Sequence, residues 1–371
     1  MDKGDLDRLL VTLSELDGSD LHIKAGAPAR MRVTGTLRTL HDEPAFTADE
    51  TKAIAESIMT PAVLETFRQR HEVDFAYGLP GVGRFRVNAY FQRSSVAMAM
   101  RRVRASAATV DELGLPAVVT RLADEMRGLV LVTGPTGSGK TTTLAAMIDH
   151  INHSRACHVV TIEDPVEYLH SDDLAAIDQR EIGFDTDSFS SAMRVVLRQD
   201  PDVILVGEMR DTETVSAALT AAETGHLVFS TLHTINATET INRIVDFFPP
   251  HQQTQVRVSL AGSLRGIICQ RLMPTADGKG RVPALELLVV NGRIQQAIID
   301  PLLTGDIDRI VADGSYYGMM TFDQSLVVLV AEGAISLAEA LNTATNPHDL
   351  KVMLERKGIM QTGHFVAPTF A

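Results

Sequence analysis

The feature that most constrains the fold of this chain is a glycine-rich stretch near its middle. A short apolar run, residues 128–133, leads into residues 134–141, which read Gly-Pro-Thr-Gly-Ser-Gly-Lys-Thr. This stretch matches the phosphate-loop pattern G-x-x-x-x-G-K-[ST] at every specified position. Because only glycine lets the main chain curl around a phosphate without a Cβ clash, the pattern predicts a strand, a loop and then a helix.

The residue types in this loop predict separate roles. Lys140 is expected to reach the β- and γ-phosphates of ATP as a catalytic group, and the Thr141 hydroxyl is expected to bind Mg²⁺. The positive end of the following helix would face the anion. The alternative is a glycine-rich turn without a ligand. The predicted nucleotide-binding residues are Gly134, Pro135, Thr136, Gly137, Ser138, Gly139, Lys140, Thr141 and Thr142.

Length and composition limit the possible classes of protein. A chain of 371 residues suits two domains, because a typical domain has ~100–200 residues. The net charge of −13 argues against a surface that binds nucleic acid or anionic lipid as a whole. Cys157 and Cys269 are far apart and suggest neither a disulfide framework nor a zinc site. With no apolar run of ~18–20 residues, we expect a cytoplasmic protein that reaches a membrane only through a partner.

The hydrophobic pattern changes along the chain and predicts an α/β protein with two domains. Residues 1–104 show short alternating strands and capped helices, which indicate a small mixed α/β domain. Residues 105–115 are predicted to form a linker. Residues 116–357 alternate apolar strands with longer helices and end in short helices, which is typical of a mainly parallel sheet. The tail, 358–371, has no periodic pattern and is predicted to be loose. Strands of the second domain are predicted at 129–133, 159–162, 203–206, 227–231 and 284–290.

Acidic residues follow two predicted strands of the second domain. Glu208 comes after the apolar run 203–206 and a glycine, and Glu163 follows the strand 159–162. Ligands of an open parallel sheet bind at the carboxyl ends of its strands, so both acids are expected near the phosphates. Glu208 is predicted to hold Mg²⁺ or polarise the attacking water, and Glu163, ahead of Glu167, to coordinate metal-bound water or act as general base. The alternative for each is a solvated carboxylate at a strand end.

Two histidines, His226 and His233, flank the strand 227–232. In an extended chain at ~3.3 Å per residue they lie roughly 23 Å apart, so they cannot share one metal ion. Each is interpreted either as a structural hydrogen-bonding residue or as a sensor of the γ-phosphate that signals to a neighbouring subunit.

An arginine-rich segment lies between Arg84 and Arg104, with six arginines and no acidic residue. This local excess of positive charge predicts an anionic partner, which could be a neighbouring subunit's nucleotide, the acidic surface of the same chain or nucleic acid. Arginine suits the nucleotide because its rigid fork spreads charge over phosphate oxygens. The alternative is a solvated strand face with ordinary salt bridges.

Four motifs in a fixed order resemble those of a known family. They are similar to the Walker A, Asp box, Walker B and His box of the type II/IV secretion ATPase superfamily, in particular of the PilT-like twitching motility ATPases of type IV pili. The resemblance covers nearly the whole chain. It implies a PAS-like N-terminal α/β domain, a RecA-like P-loop NTPase domain and a hexameric ring with ATP at the subunit interface. The matching segments are 134–141, 162–167, 200–211 and 222–226 with 232–234.

The resemblance also implies residue roles and partners. Glu163 and Glu208 correspond to the hydrolytic and metal-associated acids of the family, whose Walker B also ends in Gly-Glu. Among the arginines it singles out Arg84, Arg86 and Arg101 as residues that reach a nucleotide. It implies a homohexamer that docks on an inner-membrane pilus platform protein at the cytoplasmic face and drives pilin removal, with other pilus ATPases as further partners.

Departures from the family pattern bear on the direction of the motor. The chain has neither the extra N-terminal domain nor the tetracysteine zinc motif usual in assembly ATPases, which favours retraction. Residues 293–300 keep only the apolar spacing and the final acid of the retraction motif. The alternatives are a pilus-assembly or secretion motor, a non-catalytic nucleotide switch and a nucleic-acid motor. The last ranks lowest because only Tyr90 and Phe91 accompany the arginines as stacking aromatics.

Overall fold

The structure is a computed structural model that describes residues 1–104, 107–361 and 364–365. These residues form two compact units, one of 1–104 with 166–169 and one of the described residues from 107 onward without 166–169. Of the predicted linker, 105–106 lie outside the described residues. The remainder lies in the second unit, where Val110 and Leu115 are buried in the core. The predicted tail is described only in part, with short paired strands at Met360–Gln361 and His364–Phe365.

Within residues 1–104, the first unit forms a six-stranded antiparallel sheet in the order β3-β2-β1-β6-β5-β4. Its strands are β1 (Asp20–Lys24), β2 (Arg30–Val33), β3 (Thr36–Thr39), β4 (Glu72–Leu79), β5 (Gly83–Gln92) and β6 (Ser95–Arg102). Its helices are α1 (Lys3–Glu15), α2 (Ala48–Ile58) and α3 (Pro61–Arg70).

The alternation in β5 explains how this sheet separates its faces. Phe85 and Val87 are buried in the unit's core, whereas Arg86 between them is exposed. Successive side chains of a strand point to opposite faces, so one face of β5 is apolar and the other carries arginine. The prediction of a mixed α/β N-terminal fold is confirmed.

Within residues 107–361, the second unit forms a seven-stranded sheet in the order β13-β12-β7-β11-β10-β8-β9. Its strands are β7 (Gly128–Thr133), β8 (His158–Glu163), β9 (Ala176–Glu181), β10 (Val203–Val206), β11 (Leu227–Leu232), β12 (Leu264–Pro274) and β13 (Arg281–Val289). Its helices are α4 (Ala117–Ala123), α5 (Lys140–Ser154), α6 (Phe189–Val196), α7 (Thr212–Glu223), α8 (Ala237–Asp246), α9 (Pro250–Ser263), α10 (Gly292–Ile299), α11 (Ile307–Ala312), α12 (Phe322–Ala331), α13 (Leu337–Thr343) and α14 (Pro347–Arg356). Short 3₁₀ turns lie at Thr304–Asp306 and Ser315–Tyr317.

The pairing of these strands confirms the predicted mainly parallel sheet. β9, β8, β10, β11, β7 and β12 pair in parallel, and β13 alone among the described strands of this sheet joins antiparallel to β12. Every residue of β7, β10 and β11 is buried, because hydrophobic clusters cover both faces. Strands buried on both faces appear in sequence as continuous apolar runs, which is why these were predictable.

Two strands of this sheet were missed in the sequence. β9 carries mostly polar residues and lies at the edge of the sheet, and β12 is interrupted by Gln270 and Arg271. The predicted helices at 321–332, 335–344 and 348–357 correspond to α12, α13 and α14, which pack with Met273 of β12 and Ala284 of β13 in a small hydrophobic core. Among the described residues, no helix has the length and apolar character needed to cross a bilayer.

Candidate nucleotide site

The parallel register brings the predicted motifs to one edge of the sheet. β7 and β11 are paired up to Thr133 and Leu232, and β10 and β8 are paired at Val206 and Ile162. The phosphate loop follows β7, and the last residues of the His box follow β11. The last residues of Walker B follow β10, and the acidic residues of the Asp box follow Ile162. The carboxyl ends of parallel strands are where ligands of such sheets bind. The four motifs therefore lie next to one another at the same edge of the sheet.

The phosphate loop needs glycine for both backbone angle and space. Gly134 and Gly139 have φ angles of 143° and 92°, which other residues rarely adopt. A Cβ atom on Gly134 would lie 2.2 Å from the carbonyl oxygen of Gln270, and one on Gly139 would lie 2.7 Å from Gln270 Nε2. A side chain at position 134 would have to displace the loop or the backbone of β12, and one at position 139 would have to displace the Gln270 amide.

The loop also presents groups that fit a phosphate. Residues 135–137 are exposed at its tip, and α5 begins directly after Gly139, which has no side chain to cap the helix N–H groups. Ser138 is only 3% exposed, and its Oγ makes no hydrogen bond within the described structure. The positive end of a helix and a buried hydroxyl of this kind favour an anionic ligand.

Lys140 and Glu208 are joined through His233. Lys140 Nζ donates to the carbonyl oxygen of Gly134 at 2.9 Å and lies 3.5 Å from His233 Nδ1. The other ring nitrogen, Nε2, lies 3.2 Å from Glu208 Oε1. A lysine ammonium can only donate, so Nδ1 is the accepting nitrogen and Nε2 carries the proton that faces the carboxylate. His233 thus bridges the phosphate-loop lysine and the Walker B glutamate.

The second oxygen of Glu208 binds Arg210. Arg210 Nε and Nη2 lie 2.8 Å and 2.7 Å from Glu208 Oε2, and this hydrogen-bonded charge raises the pKa of Arg210. Thr231 Oγ1 donates to the carbonyl oxygen of Gly207 at 2.7 Å and holds the start of this segment to β11. A Cβ on Gly207 would lie 3.2 Å from the carbonyl oxygen of Ile162, so glycine lets Walker B run close to β8.

Glu163 is the last residue of β8 and is 7% exposed. Its Oε1 accepts hydrogen bonds from Thr161 Oγ1 at 2.7 Å and from Gln179 Nε2 at 3.3 Å. The two donors fix the orientation of a nearly buried carboxylate at the edge of the sheet where the phosphate loop begins. Among the described residues, no group of three or more His, Cys, Asp or Glu side chains could hold a metal ion.

His226 lies at the opposite end of β11 from His233. Its Nδ1 is 3.0 Å from the carbonyl oxygen of Ala221, and its own carbonyl accepts a hydrogen bond from Gly128 at 2.9 Å. Gly128 begins β7, so His226 lies at the amino end of the strands. Within one chain the structure does not bring His226 together with Lys140.

The predicted arginines lie on neighbouring strands of the first unit. Arg101 pairs across strands with both Arg86 and Asp20, and its Nε donates to Asp20 Oδ1 at 2.8 Å. Burial raises the pKa of Asp20, but hydrogen bonds from Ser19 and Arg101 outweigh burial and lower it. Arg86 is exposed and Arg84, on the same strand, is half-buried. Arg86 therefore lies opposite an arginine whose charge is paired with Asp20.

Several contacts of the acids were missed in the sequence. They involve Thr161, Gln179 and Arg210. Thr161 could have been found, because it lies two residues before Glu163 on a strand and therefore on the same face. Gln179 could not, because β9 was not predicted.

The matching family model is described as type II/IV secretion system protein and covers residues 6–313. The chain belongs to this family. The predicted resemblance to type II/IV secretion ATPases is therefore confirmed.

The chain is 44% identical to the type IV pilus retraction ATPase PilT of Pseudomonas aeruginosa, over 93% of this chain and 99% of that protein. It is 40% identical to the type IV pilus ATPase PilU of the same organism, over 95% and 91%. A crystal structure of the pilus retraction motor PilT with bound ADP matches with a TM-score of 0.84 and 46% identity, over 94% of this chain and 99% of that one. The predicted fold class is confirmed, and the roles of single site residues stay predictions.

We expect His233→Ala to lower the ATP turnover number by roughly 10- to 100-fold, because it removes the bridge between Lys140 and Glu208. Steady-state phosphate release at saturating ATP measures this. The matched control is His251→Ala, since His251 is exposed on α9 and, in the described structure, its ring makes a hydrogen bond only with its neighbour Gln252. Equal turnover of the His233 and His251 variants would show that the bridge has no catalytic role.

Proposed function

We propose that this chain is a Mg²⁺-dependent ATPase that works as a homohexamer and powers type IV pilus retraction. The ATPase assignment depends chiefly on one observation, the connection of Lys140 to Glu208 through His233 at the end of the phosphate-loop strand. Similarity to pilus retraction ATPases over more than nine-tenths of the chain supports the assignment to retraction.

The phosphate loop and Lys140 hold the β- and γ-phosphates in this proposal. The N–H groups at the start of α5 point toward the phosphates, and Lys140 neutralises part of their charge. Thr141 and Glu208 would hold Mg²⁺, which neutralises charge on the phosphate oxygens when bound. Glu163 accepts the proton of the attacking water, because Thr161 and Gln179 hold its carboxylate in one orientation.

Arginines of the first unit complete the site from a neighbouring subunit. Arg84, Arg86 and Arg101 are the candidates, and Arg86 is favoured because it is exposed opposite a second arginine. A guanidinium stabilises the charge that develops on the phosphoryl oxygens in the transition state. His226 is the candidate for a residue that senses the state of another subunit, since it lies away from its own chain's phosphate loop.

We place the ring at the cytoplasmic face of the inner membrane, docked on a pilus platform protein. The similarity to PilU supports a type IV pilus ATPase. A second candidate function within that class is an accessory pilus ATPase that works together with another pilus ATPase. A non-catalytic nucleotide switch is disfavoured because both strand-end glutamates are present and held by hydrogen bonds.

We expect Lys140→Ala to abolish phosphate release. We expect Glu163→Gln to lower phosphate release by roughly 100-fold or more, because the glutamine cannot accept a proton, while ADP binding by this variant persists. Phosphate release and fluorescent ADP binding together measure these effects. Glu355→Gln, at an exposed glutamate of α14, is the matched control. Wild-type turnover in the Glu163 variant would remove its role as general base, and no turnover in the wild type would favour the nucleotide switch.

We expect Arg86→Glu to lower turnover and to be rescued in mixed rings with Lys140→Ala subunits. Each variant alone lacks one half of every site, but a mixed ring contains interfaces with an intact phosphate loop and an intact arginine. Phosphate release by the mixture should exceed that of either variant alone. Arg93→Glu, at an exposed turn of the same unit, controls for charge. Mixtures no more active than their parts would contradict action between subunits.

Deletion of the gene tests the direction of the motor. Cells without this protein should carry excess pili and lose twitching, because pilins are added but not removed. Electron microscopy of the surface and a twitching assay measure both properties. Bald cells would instead assign the protein to pilus assembly, and normal pili with reduced twitching would favour the accessory role.

A further inference from the structure

β12 extends past the end of the phosphate-loop strand. β12 and β7 pair in parallel up to Cys269 and Thr133, and β12 then continues along β13, where Gln270 lies opposite Leu285. Gln270 is therefore the first residue of β12 beyond β7, at the level where the loop begins. It is a buried polar residue, with 4% of its surface exposed.

Gln270 contacts both ends of the phosphate loop. Its carbonyl oxygen leaves no room for a Cβ on Gly134, and its Nε2 leaves none on Gly139. Its Oε1 accepts a hydrogen bond of 2.8 Å from Thr143 Oγ1, in the first turn of α5. Thr143 is 1% exposed, so this hydrogen bond is shielded from water. One side chain thus connects β12, the last loop glycine and the start of α5.

We propose that Gln270 is a positioning residue for the nucleotide phosphates, acting through Thr143 and the loop glycines. It lies behind the loop and does not touch the reacting atoms. Its amide sets the distance between β12 and the start of α5, and hence the direction of the N–H groups that meet the phosphates. Groups that bind an anion are most effective when neighbouring contacts hold them in place beforehand.

The amide is suited to this position by its chemistry. Gln270 offers an acceptor to the Thr143 hydroxyl and a donor group beneath Gly139, without adding a negative charge near the phosphates. A methionine at this position keeps the length and volume but removes both polar groups. The loop would then lose its fixed orientation, and Thr143 would lose its acceptor.

This inference rests on the nucleotide site of the proposed function. We expect Gln270→Met to raise both the Kd for ADP and the KM for ATP by about 10-fold, while the turnover number changes less than about 3-fold. The loop holds the phosphates alike in the ground state and the transition state, and loss of such uniform binding raises KM. Titration with a fluorescent ADP analogue and steady-state phosphate release measure the two quantities on the full chain.

A double-mutant cycle separates positioning from simple loss of stability. Thr143→Val removes the other half of the hydrogen bond and should reproduce the weaker ADP binding. In the double variant both partners are apolar, so thermal stability should recover, because no buried polar group is left unpaired. ADP binding should stay weak, since neither side chain can orient the loop. Recovery of ADP affinity together with stability would overturn the proposal.

Gln324→Met is the matched control. Gln324 is half-buried, accepts from the Thr321 amide at 2.9 Å and donates to the Ala312 carbonyl at 3.0 Å, so its loss also costs hydrogen bonds. It should leave ADP affinity within about 2-fold of the wild type. Wild-type affinity in both the Gln270 and Thr143 variants would refute the positioning role alone. Failure of the wild type to bind ADP would refute the proposed function and this inference together.

Discussion

The parallel register of β7, β11, β10 and β8 is the constraint on which the site depends. These strands are buried between two hydrophobic clusters, and a slip of one residue would exchange the side chains that pack into each cluster. The register that satisfies the core is therefore also the register that aligns their carboxyl ends. The phosphate loop and the two strand-end acids meet because the hydrophobic core fixes where each strand stops.

The chemistry at this edge is organised by hydrogen bonds between motifs. Lys140 comes from the phosphate loop, Glu208 from Walker B and His233 from the His box, yet the three side chains form one connected series. Arg210 extends it by binding the free oxygen of Glu208. A series of this kind couples its members, since a shift of one side chain changes the partners of the next. The His box can thereby influence both the lysine and the acid.

The predictable parts of the fold are those in which the sequence pattern of a segment matches its environment in the folded protein. Buried strands such as β7 and β11 are continuous apolar runs, and the phosphate loop is specified by glycines at fixed positions. β9 and β12 were missed because polar residues interrupt their apolar patterns. These polar residues make contacts with other parts of the fold, which the hydrophobic period of the sequence does not show. Gln179 binds Glu163, and Gln270 binds Thr143. The acids themselves were predictable from their place after a strand, whereas their hydrogen-bond partners depend on which strands become neighbours.

The same distinction separates motif residues from the residues that support them. The residues of a motif must contact a ligand, so their spacing in the sequence is set by the path that the backbone takes around that ligand. A supporting residue needs only to be near the motif in space, and any element of the fold can provide it. Gln270 lies 127 residues from its partner Thr143, and only the pairing of β12 with β7 brings them together. The sequence motif alone therefore does not specify the whole shape of the phosphate loop, because contacts with β12 help to determine that shape and β12 is not part of the phosphate-loop pattern.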